Sequence, residues 1–258
     1  MSYNNLGQLE RVTTTNNGAI VAGVAKRRKQ KVYSDVLGRI VKTEIFTWQD
    51  GGIDATTVQT YNPRDQLTQV RQYSGPETSS TFQDTAITYD GFGRLKTKHL
   101  PEQNVGMVTT WSYNADDTVL KVTDARGASK TFGYNSRHLL TSITYAVPTG
   151  STITVPAPLS FTYDPAGNRT NMTDGNGYTD YTYDQLSRLK SEARSFSGLT
   201  GTFSIGYGYN LGNQLTSLTE PTQFGSTFSY VHDAVGRLTN VNGSPFDGSG
   251  MVPHYDTG

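Results

Sequence analysis

Apolar and polar residues alternate over short runs in this chain, and each run ends in a turn signal. In Ile87-Thr88-Tyr89-Asp90-Gly91-Phe92-Gly93-Arg94-Leu95, Ile87 and Tyr89 fall on one side of an extended segment and Thr88 on the other, which is the period of a strand. Asp90 suits the first position of a type I turn, because its carboxylate accepts backbone hydrogen bonds two residues on. Gly93 takes positive φ without a Cβ clash, and Leu95 restarts the apolar pattern. The stretch predicts a β-hairpin of aromatic anchor, Asx turn, glycine and apolar return.

The pattern recurs. Anchors fall at Tyr3, Ser34, Tyr61, Tyr89, Tyr113, Tyr134, Tyr163, Tyr183, Tyr209, His232 and Tyr255, and the two departures have Tyr33 and Tyr230 just upstream. The next residue is Asn or Asp every time: Asn4, Asp35, Asn62, Asp90, Asn114, Asn135, Asp164, Asp184, Asn210, Asp233 and Asp256. Four residues after the anchor stand Gly7, Gly38, Gly93, Gly167 and Gly236, or else Asp65, Asp117, His138, Ser187 and Asn213. Six residues after it stands an aliphatic side chain in every completed unit except one, where Arg169 takes its place. Anchor spacings run from 20 to 31 residues, which marks an array of units packed on their neighbours.

YDGFGRL, YDPAGNRT, YDQLSRL, HDAVGRL and SDVLGRI resemble the tyrosine-aspartate (YD) repeats of RHS-repeat proteins, and these motifs run from Tyr3 to Asp256. The resemblance implies a sheet that spirals as successive hairpins. In bacterial RHS and insecticidal Tc toxins such a sheet forms a hollow shell around a toxic polypeptide; in animal teneurins a similar shell is extracellular and serves adhesion. The family's RHS-associated core, with its DPxG motif and autoproteolytic aspartates, is not found in this sequence, nor is a distinct toxin segment.

Composition fits a thin layer better than a thick core. Apolar residues make up 34%; counting Gly in place of Tyr gives about 38%, below the ~45–50% usual for globular domains. Lys plus Arg and Asp plus Glu are 22 each, so the chain has no general attraction for nucleic acid or anionic membrane. Without cysteine there are no disulfides, thiolates or cysteine zinc sites. No apolar run is long enough for a membrane helix, and the first residues are not a signal peptide.

Local signals fill in the array. Asn16-Asn17-Gly18 reads as a turn, and Lys26–Lys31 as a solvated edge strand whose charges block further pairing. Phe46 and Trp48 share a face. Ser74–Ser80 reads as a polar loop, and Pro148, Pro156 and Pro158 place a long loop before Leu159. Trp111/Tyr113, Phe132/Tyr134, Phe161/Tyr163, Tyr181/Tyr183 and Tyr207/Tyr209 each sit on one strand face and predict an aromatic ladder. After the turns, Leu67 with Val70, Leu140 with Ile143 and Leu215 with Leu218 are three apart, as a bulge or a strand buried on both faces would give.

Candidate chemistry is sparse. His99, His138, His232 and His254 lack zinc spacing, and His138 and His232 read as scaffold variants. Gly206-Tyr207-Gly208 belongs to an aromatic strand rather than a phosphate loop. Asp174–Asp180 reads as a turn rather than a calcium loop, since it lacks the required glycine and distal Glu. A catalytic acid occurs once, whereas the Asn and Asp residues recur with the turn.

The expected fold is all-β, one continuous array over 1–258 forming a spiralling, solenoid- or shell-like antiparallel sheet. The structural residues are the anchors Tyr3, Tyr61, Tyr89, Tyr113, Tyr134, Tyr163, Tyr183, Tyr209 and Tyr255 and the turn residues Asp90, Gly93, Asp164, Gly167, Asp233 and Gly236. The expected role is a non-enzymatic scaffold without cofactor or metal, a shell segment of a bacterial RHS-type secreted or cell-surface protein that encloses or displays another polypeptide. The alternative is a head-to-tail extracellular filament or adhesion module contacting glycans through exposed Tyr. Neither terminal edge shows a cap, so flanking repeats of a longer chain, or neighbouring copies, are expected to cover both.

Overall fold

A computed structural model describes the backbone of residues 2–3, 9–21, 24–47, 51–221, 225–242 and 244–245, and side chains from residue 29 to 242 within those ranges. The readings on Asn4, Gly7, Trp48, His254, Tyr255 and Asp256, and on the side chains of Tyr3 and Leu9, lie outside the described residues. The described residues hold strands and turns and no helix, so no helix among them is long and apolar enough to cross a membrane.

The chain divides into two compact units, 1–129 and 130–258. The first holds β1 (Ser2–Tyr3), β2 (Leu9–Val21), β3 (Val24–Ser34), β4 (Ile40–Phe46), β5 (Ile53–Tyr61), β6 (Leu67–Tyr73), β7 (Phe82–Tyr89), β8 (Leu95–His99), β9 (Thr109–Tyr113) and β10 (Val119–Thr123). Each strand pairs antiparallel with its sequence neighbour from β1 to β10. After β11 (Ser129–Tyr134) the second unit repeats the arrangement. Its strands are β12 (Leu140–Ala146), β13 (Leu159–Tyr163), β14 (Arg169–Asp174), β15 (Gly177–Tyr183), β16 (Leu189–Phe196), β17 (Thr202–Tyr209), β18 (Leu215–Thr219), β19 (Thr227–His232), β20 (Leu238–Val241) and β21 (Ser244–Pro245). These pair in sequence order from β12 onward.

Tight turns of constant length alternate with connections of variable length. The anchor turns make the constant connections, and the others set the anchor spacing. From Tyr163 to Tyr183, 20 residues apart, β14 and β15 are joined through Gly175 and Asn176 alone. From Tyr134 to Tyr163, 29 residues apart, residues 147–158 form the proline-rich loop. A turn without an aromatic anchor also occurs: Asp124 N–H bonds to Ala128 O at 2.8 Å, and Gly127 has φ of 84°.

All but one of the anchors with a described strand pairing carry the same bulge; the exception is Tyr3, which faces Leu9 while Ser2 faces Glu10, without a shift. Thr88 faces Thr97, yet Tyr89 faces Leu95, so Leu95 and Lys96 together oppose one position. The shift recurs at Ser34/Ile40, Tyr61/Leu67, Tyr113/Val119, Tyr163/Arg169, Tyr183/Leu189, Tyr209/Leu215 and His232/Leu238. An extra residue resets the side-chain alternation. Leu67 therefore lies opposite Tyr61, and Val70, three residues on, opposite Gln59, both on the anchor face. The bulge, not burial on both faces, explains this spacing.

The two faces differ. On the face away from the anchors, Thr88 and Thr97 hydroxyls meet at 2.6 Å, as do Thr182 and Ser191. Gly208 belongs to this face because a Cβ there would lie 2.3 Å from Ser217 Oγ. Burial is slight: Tyr33 is the one buried hydrophobic residue described. A single layer of hairpins gives each side chain neighbours on one side only.

One expectation changes and a second changes in part. β2 runs through Asn16–Gly18 as strand with a register shift between Asn16 and Ile20, and the connection to β3 falls after Val21. Of the Lys26–Lys31 run on β3, Lys31 pairs with both β2 and β4, whereas Arg27–Lys29 pair with β2 and lie beyond the described β4 register, so the edge reading fits those residues and not Lys31. Lys29 Nζ sits 4.4 Å above the Phe46 ring, an attraction of cation to ring face.

Among the described residues Thr56 is the largest fully buried side chain, and its hydroxyl donates to Gly75 O at 2.8 Å, tying the 74–81 loop to β5. Thr56→Val should cost about 1–3 kcal/mol, because it leaves that carbonyl unpaired. Thr56→Ser should cost less; urea melts of both variants read the difference.

Candidate functional site

The turn is built from the Asx residue outward. Asp90 Oδ1 accepts Phe92 N–H at 3.0 Å and Arg94 N–H at 2.9 Å, and Gly93 N–H closes the turn on Asp90 O at 3.0 Å. Asp233 holds Val235 and Arg237 in the same way, and Asp164 holds Asn168. Gly93, Gly167 and Gly236 have φ of 86°, 95° and 91°. The substitutes in that slot follow: Asp65, Asp117, His138, Ser187 and Asn213 lie between 58° and 66°. The turn thus imposes left-handed backbone on every residue at this place.

The anchors do something that their apolar reading hides. Tyr61 Oη donates to Ile40 O at 2.9 Å, Tyr89 to Leu67 O at 2.9 Å and Tyr113 to Leu95 O at 2.8 Å. Tyr163 does the same to Leu140 O at 2.7 Å and Tyr183 to Arg169 O at 2.9 Å. Each acceptor lies six residues after the preceding anchor. The phenol therefore fastens one hairpin to the one before it, at the bulge, where the strand ladder is locally interrupted. Tyr134 is half-buried on β11, and Tyr3 pairs through its backbone with Leu9.

The residue five after the anchor works in the opposite direction. Arg39 Nε donates to Asp35 of its own turn at 2.7 Å, and its Nη1 reaches Asp65 of the next turn at 2.5 Å. Arg94 joins Asp90 and Asp117 at 2.7 and 2.6 Å. Arg188 joins Asp184 and Asn213 at 2.7 and 3.1 Å. On its way each guanidinium covers the next anchor ring: Arg39 over Tyr61 at 4.8 Å, Arg94 over Tyr113 at 4.4 Å and Arg188 over Tyr209 at 4.8 Å. The expected aromatic ladder is therefore a guanidinium–tyrosine ladder. The described ring–ring pairs, Tyr73–Phe82 and Phe196–Phe203, involve no anchor. Arg169, the exception to the aliphatic rule, lies between Phe161 at 5.8 Å and Tyr181 at 4.7 Å. Nothing in the earlier pattern assigned these arginines; the signal was Arg or Gln recurring before the aliphatic return residue.

The turn carboxylates are acidic. The Arg188 side chain, then the Arg188 backbone N–H, holds Asp184 below the usual carboxylate range. At Asp90 partial desolvation raises the value, but the hydrogen bonds from Arg94 and Phe92 outweigh it and the net direction is down. Burial, reinforced by the Glu192 carboxylate that accepts its hydroxyl at 2.8 Å, pushes Tyr207 up to about 12. Beside it, a depression of about 640 Å³ on the anchor face of the second unit is lined by Tyr181, Glu192, Arg194, Phe196, Phe203 and Leu218, among others. Arg194 is tied to Asp174 at 2.8 Å, so the Asp174 loop is a hairpin turn braced by an arginine. Among the described residues no group of three or more His, Asp or Glu side chains could hold a metal ion.

The RHS Repeat family model matches residues 89–129, 113–152 and 163–200. Residues 89–152 and 163–200 carry RHS repeats. No curated protein sequence matches it. Among solved structures, TcdB2-TccC3 without its hypervariable C-terminal region superposes with a TM-score of 0.62 at 17% identity, over 83% of this chain. The Photorhabdus luminescens Tc holotoxin pore superposes with a TM-score of 0.64 at 16% identity, over 86% of this chain. In both, the match spans 13% of the other chain. At this identity the likeness establishes the fold: an all-β RHS-repeat sheet.

Three substitutions separate the roles within one repeat. Tyr89→Phe should cost about 0.5–1.5 kcal/mol, the worth of one hydrogen bond. Tyr89→Ala should cost more, though less than the ~3–5 kcal/mol of a fully buried ring, since this ring is half-buried. Gly93→Val should cost at least about 1–3 kcal/mol from positive φ alone, and Thr88→Ala little. Equilibrium denaturation gives the order; equal midpoints would contradict the assignment of faces.

Because the turn aspartates bind protons less readily folded than unfolded, the unfolded state takes up protons first as pH falls. Stability should be complete above the unfolded value of about 3.9 and be lost as pH drops through the lowered folded values. Asp90→Asn keeps an Asx turn, as Asn62 and Asn210 do, and should flatten the acid limb of a midpoint-against-pH curve.

Proposed function

We propose that this chain is a non-catalytic wall, a continuous RHS-repeat array over 1–258 within a bacterial secreted or cell-surface protein, and that it encloses or displays another polypeptide. The observation that carries the reading is the inter-hairpin clamp. Side chains that elsewhere do chemistry, the recurring Asp, Arg and Tyr, are committed to fastening hairpins side by side. A single-layer sheet leaves the anchor face uncovered among the described residues, with an amphipathic depression on it. Such a face suits lining a compartment better than closing on a core. The similarity to RHS shells of Tc toxins supports the same reading at the level of the fold. The phenols of Tyr61, Tyr89, Tyr113, Tyr163 and Tyr183 are engaged by backbone carbonyls, which weighs against glycan contact through them.

Protease protection tests the proposal. The protein containing this chain, isolated from the cells that make it, is digested with trypsin and the resistant fragments are sequenced. Enclosure predicts resistant peptides from outside the repeats that become sensitive once urea melts the sheet. Protection confined to the repeats themselves would overturn it.

A further inference from the structure

The residue five after one anchor and the residue four after the next vary together. Arg39 is followed by Asp65, Arg94 by Asp117 and Arg188 by Asn213, whereas Gln8 is followed by Gly38, Gln66 by Gly93 and Gln214 by Gly236. The geometry explains both kinds. A guanidinium reaches the side-chain oxygen of the next turn, at 2.5 Å for Asp65, 2.6 Å for Asp117 and 3.1 Å for Asn213. The shorter amide of Gln66 donates to the backbone carbonyl of Gly93 at 2.7 Å. It can do so because no side chain intervenes: a Cβ on Gly93 would stand 3.1 Å from Gln66 Nε2, and one on Gly236 2.8 Å from Gln214 Nε2. Asn168 with Ser187, joined at 3.2 Å, is a neutral version. Where Leu139 cannot donate, Arg137 reaches Asp164 O at 3.2 Å; Thr118 and His138 follow neither rule.

Arg237 stands apart. Arg39, Arg94 and Arg188, each covered by a following hairpin, have side chains 27%, 24% and 20% exposed. Arg237 makes the same bond to its own Asp233 at 2.7 Å, yet is 80% exposed. We propose that the plus-five and plus-four residues form matched pairs that fix which hairpin can follow which, and that Arg237 is the open half of one. The surface it forms with Leu238 takes a hairpin built on Tyr255, with Asp or Asn at plus four. Tyr255 lies 23 residues after His232, the same step as from Tyr209 to His232, and Asp256 follows it. A second copy's first hairpin is the wrong kind, because it brings Gly7, which belongs with Gln.

The pairing rule is tested inside the chain by the cycle of Arg94→Gln, Asp117→Gly and both together. Gly is the easier residue at the φ of 66° of Asp117, so a lowered thermal midpoint for Asp117→Gly alone already points to the pair. The double variant should melt about 2 °C or more above the additive expectation; additivity would overturn the rule. Should Arg94→Gln not fold, the reverse cycle of Gln66→Arg and Gly93→Asp carries the same test. The open half is tested by extending the full chain past Gly258 with a copy of residues 117–123, led either by its own Asp or by Gly. The Asp-led chain should melt higher, and the preference should reverse in Arg237→Gln. No preference, or the same preference in both backgrounds, would overturn the assignment of Arg237, whatever polypeptide the wall encloses.

Discussion

The tyrosine hydroxyl bonded to the carbonyl of the preceding hairpin is the contact on which this architecture rests. A one-layer sheet cannot bury a core, and among its described hydrophobic residues Tyr33 alone is buried. Cohesion has to run sideways, from hairpin to hairpin, and strand ladders supply most of it. The ladders are weakest at the bulge beside each anchor, where one position faces two residues. The anchor phenol spans that place: Tyr89 reaches Leu67 O, and Leu67 is itself the bulged partner of Tyr61. The guanidinium above the next ring closes the arrangement from the other side, so each hairpin is held at its turn by groups from both neighbours.

This division of labour explains how the array tolerates irregular repeats. Everything the clamp requires lies within seven positions of the anchor turn. The opposite connections are free to differ, from the two residues after Asp174 to the twelve of 147–158. Anchor spacing varies while the clamp geometry does not. The departures fit the same logic: Ser34 and His232 have no phenol at the anchor place, yet each keeps its bulge, and Asp35 and Asp233 keep their arginines.

What could be read from the sequence was what is local. An Asx residue, a left-handed position and an apolar return lie within one turn, and the strand period flanks them. Hence the hairpins, the loop before Leu159 and even the odd residues His138 and Ser187 at positive φ were predictable. Alternation alone could not separate a bulge from two-sided burial, because both break the period after Leu67 and Leu215; only the register decides. The aromatic ladder was misjudged because ring spacing along a strand says nothing of what lies between rings on neighbouring hairpins. The arginines of the clamp act on residues 22 to 26 positions away, beyond any window in which pattern alone is informative.

The constraint at plus four ties these levels together. Because the turn forces φ near 60–90°, that place admits Gly freely and Asn or Asp next most readily. A backbone requirement thus favours two chemical kinds there: one with no side chain and an open carbonyl, and one with a short oxygen acceptor. Those are the two acceptors that a glutamine and an arginine, one hairpin earlier, can respectively reach. Ser187 and His138 hold the same conformation at greater backbone strain, and neither follows Arg or Gln. Local strain in the turn therefore limits the chemistry available between hairpins, and a turn residue selected for its φ becomes a residue that distinguishes one neighbour from another.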